Sequence, residues 1–280
     1  MIANSKKRTN VIIVIILSVL AVLFMVPIFL VLVNSFKSKL YISAEPFAFT
    51  TAETFVGLEN YINGLTTSGF FAAFGRSLFI TVFSVLLIVV CTSMTSWFII
   101  RVKNRFNKVL YYLFVFSMIV PFQMVMFTMT YIVGLLHLNN VVGIVFVYLG
   151  FGAGLSVFML SGFVKSIPLE IEEAATIDGC NPLQCFFRVV FPILKPTAIT
   201  VAILNAMWIW NDYLLPYLVL GTDNKTIPVA IQLAMQGAYG DTDMGGFMAM
   251  LVLAIIPIII FYLACQKHII KGVIAGAVKG

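Results

Sequence analysis

Six long apolar runs separated by polar stretches set the order of the chain: 11–34, 77–100, 109–135, 141–164, 197–220 and 246–270. At about 1.5 Å of rise per residue, each is long enough to cross a hydrocarbon layer of roughly 30 Å. The pattern predicts an all-α polytopic membrane protein with six transmembrane helices. The first run is too long for a signal-peptide core and no convincing cleavage site follows it, so it reads as an uncleaved span. Pro121 predicts a kink in the third run. Gly150, Gly152 and Gly154 in the fourth permit close helix approach. Residues 35–76 form a polar loop with some short structure, 221–245 a second loop, and 271–280 a short basic tail.

One polar stretch breaks this rhythm. Residues 165–196 hold Glu170, Glu172, Glu173 and Asp178 beside Lys165, Arg188 and Lys195. Pro168 suits the first turn of a helix, and acids placed early in that helix favour the positive end of its dipole. Gly179 is a natural stop. Asn181, Pro182 and Gln184 then read as cap, first position and capping-box partner of a second short helix, which Pro192 and Pro196 end. The stretch is therefore a helix, a glycine corner and a helix between spans, or else an ordinary solvated loop.

Composition agrees with the apolar pattern. The chain is 61% hydrophobic and 10% charged, where soluble domains carry about 25% charged residues. The net charge of +6 does not point to nucleic acid, because the cations cluster at the ends of spans. Thirteen of the seventeen lysines and arginines fall in 1–10, 101–108, 165–196 and the end from Lys267; Lys37, Lys39, Arg76 and Lys225 fall on the other side. The positive-inside rule then puts both termini and the 165–196 island in the cytoplasm, and 35–76 and 221–245 outside. Of the cysteines, Cys91 and Cys265 lie in apolar runs and Cys180 and Cys185 in the island. Their spacing fits neither a zinc site nor a disulfide framework.

Little in the spans can carry chemistry. Asp212 is the one acid inside a run, about 22 Å along its helix from Thr197 and so in the outer part of the membrane. Asn205, Trp208 and Asp212 share one helix face. Polar groups beside an indole suit a sugar; equally, Asp212 can bond a neighbouring helix. Asn211 and, in the third run, Gln123 are further polar candidates for a translocation pathway, with plain kinking at Pro121 the other reading of Gln123. No phosphate-cradling loop, zinc-hydrolase motif or nucleophile–base pair is present. The chain is not expected to be an enzyme, and a driven transporter would draw its energy from another chain or from an ion gradient.

Glu173-Ala174-Ala175, three residues, Gly179, nine residues, then Val189-Val190-Phe191-Pro192 resembles the EAA loop of binding-protein-dependent ABC importer permeases. WNDYLLPYL in the fifth run, VPFQ in the third and the ending QKHIIKGVIAGAVKG resemble the carbohydrate-uptake branch, and in it the six-span permease of the maltose and multiple-sugar type. The resemblance implies a type I (MetI-like) importer fold, with a cytoplasmic N-terminus (1–10), a first helix (11–34) and a five-helix core (77–270). It implies that Glu173, Ala174, Ala175, Gly179 and Pro192 couple the chain to an ATPase, and that Asp223, Asp241 and Asp243 face a binding protein. Its implied partners are a homologous second permease in a heterodimer, two cytoplasmic ABC ATPase copies, an extracytoplasmic solute-binding protein, a sugar (an oligosaccharide) and membrane lipid. No cofactor is expected on this chain, since ATP and magnesium would sit on the partner ATPase. The implied location is the bacterial plasma membrane. A self-contained ion-coupled carrier and a non-transporting assembly factor are the competing readings.

Overall fold

The computed structural model describes residues 2–236 and 243–277. Among them it is all helical apart from one isolated bridge between Lys37 and Phe55. Five helical segments are long and apolar enough to span a membrane: Asn10–Asn34, Phe70–Arg101, Gly143–Val164, Pro182–Asn211 and Met244–Lys267. A bent pair, Arg105–Ser117 and Phe122–Leu135, makes a sixth if counted as one span. The chain divides into two compact units, Met1–Phe71 with Ala230–Pro257, and Ala72–Val229 with Ile258–Gly280.

The first unit holds α1 (Ile2–Asn34), α2 (Lys39–Ala44), α3 (Glu59–Thr67) and the start of α13 (Met244–Ala277). The apolar window of α1 has none of its residues buried against the rest of the chain. A helix that is apolar all round and uncovered by its own protein needs a bilayer around it. The loop after α1 is tied down by side chains. Buried Asn60 donates to the carbonyls of Ser35 (2.9 Å) and Lys37 (2.8 Å). The Lys37 ammonium, also buried, donates to the Glu45 carbonyl at 2.8 Å.

In the second unit, α7 (Gly143–Val164) is the axle. It shows no polar stripe and most of it is buried, with Phe146, Leu155 and Phe158 left exposed. α4 (Phe70–Arg101), α6 (Phe122–Leu135), α10 (Phe191–Asn211) and α11 (Leu214–Leu220) pack about it through Ile80, Ile88, Val133, Tyr148, Val201 and Leu215. Glycines set two of these approaches. A Cβ on Gly152 would lie 2.6 Å from Ile88 Cδ1, and one on Gly154 would lie 2.8 Å from the Phe114 carbonyl of α5 (Arg105–Ser117). Gly150 differs from expectation: nothing lies within 4 Å of its Cβ position.

Three breaks differ from the expected runs. At Pro121 the helix does not kink but stops, and α5 and α6 meet at 110°. Pro121 is extended (ψ 136°) and has no N–H to continue the ladder. Pro192 and Pro196 do not end a helix. α9 (Pro182–Cys185) runs through a π-helical turn, Phe186–Val190, straight into α10, so Lys195 is helical rather than in a loop. The π turn shifts the hydrogen-bond register immediately before Pro192, where the N–H is missing, with Phe191 N–H bonding back to the Phe186 carbonyl. The fifth run is broken at Asp212, which is extended (ψ 122°) between α10 and α11. The 221–245 loop contains a ten-residue helix of its own, α12 (Ile227–Gln236), and α13 continues to Ala277 through much of the basic tail.

Candidate functional site

The island is built as expected up to the π turn. α8 (Leu169–Ile177) begins after Pro168 and carries Glu170 and Glu172 in its first turn. Its end is a Schellman motif: Gly179 N–H bonds the Thr176 carbonyl and Cys180 N–H the Ala175 carbonyl, both at 3.0 Å. Gly179 has φ +86°, a conformation that favours glycine. Asn181 Oδ1 accepts from Gln184 N–H at 2.9 Å while Gln184 Oε1 accepts from Asn181 N–H at 3.0 Å, a complete capping box.

One face of this helix pair is fixed to the spans. Ala175, Cys185, Phe186 and Val190 are buried with Val164, Ile167 and Leu194, and the Trp97 ring lies 5.6 Å from that of Phe186. Glu172 is the anchor, only 7% exposed. Its Oε1 accepts from Arg101 Nε (2.8 Å) and from an Arg101 terminal nitrogen (2.6 Å), and its Oε2 accepts from Trp97 Nε1 at 2.8 Å. The same terminal nitrogen of Arg101 reaches the Ile167 carbonyl at 3.0 Å. A buried carboxylate is stable only when paired and hydrogen-bonded in this way. The other face is open: Leu169, Ile171, Glu173, Ala174 and Ile177 are exposed, Ile177 at 86%. The five expected coupling residues therefore do not form one patch. Glu173, Ala174 and Gly179 lie on the open side, Ala175 is buried, and Pro192 is exposed in the first turn of α10.

Arg101, Trp97 and Glu172 were not among the sequence candidates. The only signal was an arginine ending an apolar run near an acidic loop, and four acids and four cations there offered no unique pairing.

The polar groups of the fifth run face α7. Asn205 is buried and donates to Ser156 Oγ at 3.2 Å and to the Val201 carbonyl at 2.9 Å. Tyr148 donates to Asp212 Oδ2 at 3.1 Å, and its ring meets Trp208 edge-on at 5.4 Å. Asp212 Oδ1 accepts from the N–H groups of Leu214 (3.0 Å) and Leu215 (3.3 Å), capping α11. Asn205, Trp208 and Asp212 do share a face, which the sequence read correctly, but each is occupied by contacts within the chain. Trp208 alone keeps a large free surface, at 40% exposure. Asn211 stands apart and donates to the Met207 carbonyl. Gln123 is exposed at the start of α6.

Asp223 is exposed, and Asp243 accepts from Gly246 N–H at 2.9 Å, capping α13. Asp241 lies outside the described residues. No group of three or more His, Cys, Asp or Glu side chains with metal-binding geometry occurs among the described residues.

The fold matches that of a chain of a bacterial ABC transporter involved in the import of the acidic polysaccharide alginate, with a TM-score of 0.78 at 22% identity, covering 94% of this chain and 97% of that one. A chain of an alginate ABC transporter in complex with a pentasaccharide-bound periplasmic protein matches at a TM-score of 0.60 and 13% identity, covering 94% and 96%. Among sequences, the chain is 39% identical to a probable starch degradation products transport system permease, AmyC, of Thermoanaerobacterium thermosulfurigenes, over 93% of this chain and 94% of that one. It is 36% identical to the multiple sugar-binding transport system permease MsmG of Streptococcus mutans (95% of each). It is 30% identical to the melibiose/raffinose/stachyose import permease MelC of Bacillus subtilis (94% of each). The model of binding-protein-dependent transport system inner membrane components matches residues 88–275, so the EAA-bearing island and the residues that anchor it, Trp97 and Arg101 included, lie inside the match, and the chain belongs to that family of multi-pass membrane permeases.

Proposed function

We propose that the chain is one of two different permease subunits in an ATP-driven importer of oligosaccharides. One of two copies of a cytoplasmic ABC ATPase docks on the open face of α8, the other on the second permease, and a sugar-loaded binding protein docks on the opposite side of the membrane. Nucleotide binding and magnesium belong to the ATPase. What carries the reading is the two-faced island: one side is clamped to α4, α7 and α10 by Glu172 and an apolar cluster, the other leaves Glu173 and Ala174 beside exposed leucine and isoleucine. A partner that moves α8 therefore moves the spans with it. The relatives named for starch products, multiple sugars and raffinose-type sugars support a sugar as cargo.

The test is uptake of radiolabelled malto- and α-galacto-oligosaccharides by cells lacking this chain, with and without a plasmid copy. Uptake of at least one of them should return with the wild-type gene and stop when ATP is depleted. Uptake that survives ATP depletion but collapses with a protonophore would establish an ion-coupled carrier instead.

A further inference from the structure

Where α4 ends, the chain turns through residues 102–104 into α5, and a cleft of about 630 Å³ opens between this turn and the end of α7. Four cations converge on it from three directions: Lys103 from the turn, Arg105 and Lys108 from the first turn of α5, and Lys165 from the end of α7. All four are exposed, and no ion pair to a carboxylate is made by any of them among the described residues. Neighbouring Arg101 is already committed to Glu172. Lys165 instead lies over the Tyr111 ring, 5.4 Å from its centroid. The backbone here is self-satisfied: Asn104 caps α5 through Asn107 N–H at 2.7 Å, and Asn107 donates to the Val102 carbonyl at 2.7 Å. The cleft thus carries four positive charges and no acid among its lining residues.

Its surroundings identify the anion. Ile99, Ile100 and Tyr112 form the apolar part of the wall. From the cleft, Phe106, Val109, Leu113 and Phe116 run along α5 at helical spacing, each more than half exposed (70, 57, 58 and 62%). A soluble phosphate would use the cations and leave that stripe bare, whereas a phospholipid uses both. Basic pockets at the ends of spans favour anionic headgroups for this reason. We propose that this cleft binds the phosphodiester headgroup of an anionic phospholipid, whose acyl chains lie along the exposed stripe of α5. The site is separate from the island's open face and does not depend on what the permease carries.

Native mass spectrometry of the full-length chain in detergent, with phosphatidylglycerol or phosphatidylcholine added, tests this. The wild type should retain phosphatidylglycerol in clear preference. Each cation near a membrane surface contributes about a fivefold gain in affinity, so Lys103→Gln/Lys108→Gln should bind it about 30-fold more weakly. Lys103→Arg/Lys108→Arg should restore binding, and Lys225→Gln should leave it unchanged. Equal retention of the two lipids, or undiminished binding by the double glutamine variant, overturns the proposal. Displacement of the lipid by inorganic phosphate at millimolar levels would reassign the cleft to soluble phosphates. A cysteine at Lys103 that cross-links to the ATPase in an assembled importer would reassign it to a protein partner.

Discussion

Glu172 holds α8 to α4 across 71 residues of chain. Glu172→Ala leaves the Trp97 N–H without its acceptor and the Arg101 guanidinium with the Ile167 carbonyl alone. Removing one partner of a buried pair costs about 3 kcal/mol at the lower end of its range, and the partial solvent access of Arg101 keeps the cost there. The variant should melt well below the wild type in detergent, while Arg101→Met/Glu172→Met recovers part of the loss, since no charge is then left alone. An unchanged melting temperature for Glu172→Ala would remove the anchor from the argument. Asp212 is the second such residue. Asp212→Ala leaves two N–H groups of α11 uncapped and Tyr148 unpartnered, a loss of about 1 kcal/mol for the cap. Uptake should fall with Asp212→Ala and survive in Asp212→Asn, which keeps an oxygen for the cap; a fully active alanine variant reduces Asp212 to packing. The shared face of Asn205, Trp208 and Asp212 was legible from helical spacing alone. That α7 already hydrogen-bonds Asn205 and Asp212 was not, because Ser156 and Tyr148 lie 49 and 64 residues away.

At the scale of elements, local signals were read correctly wherever they acted locally. Asn181, Gln184 and Gly179 specify cap and corner through groups at most five residues apart, so their chemistry is complete in the sequence. The prolines were read less well, since a proline's effect depends on what precedes it. Before Pro121 the chain breaks to 110°, whereas before Pro192 a π turn absorbs the missing bond and the helix continues. The glycines of α7 divide in the same way, and the division can be measured. Gly150→Ala meets no neighbour and should stabilise the protein by up to about 1 kcal/mol through helix propensity. Gly154→Ala places a methyl against the Phe114 carbonyl and Ser117 Oγ, and should destabilise by about 1–3 kcal/mol as α5 is pushed from α7. Thermal melting of the two variants in one detergent separates them, and equal shifts would mean that the α5–α7 approach is not set by glycine.

For the whole molecule, orientation joins the proposed energy input to the proposed binding-protein face. The apolar pattern marked the order of the apolar segments, five of them span-length helices and the third a pair bent by 110°, because length and hydrophobicity are properties of single segments. Sidedness came only from lysine and arginine counts, which place Gly179 in the cytoplasm and Thr222 outside. Between these residues the chain runs through α9, the π turn, α10 and the broken continuation α11, one passage across the membrane. The two positions must then be on opposite sides, and both are exposed. With Cys91, Cys180, Cys185 and Cys265 replaced by alanine, a cysteine at Thr222 should react with an impermeant thiol reagent added to intact cells. A cysteine at Gly179 should react only after the cells are opened. The Gly179→Cys protein should still reach the membrane, since among the described residues nothing beyond its two chain neighbours lies within 4 Å of its Cβ position. It should nevertheless transport poorly, because φ +86° disfavours a side chain and the new one stands on the face where the ATPase is proposed to dock. Reversed labelling would invert the chain and move the α8 face outside, where no ATPase could reach it, so this one measurement bears on topology and coupling together.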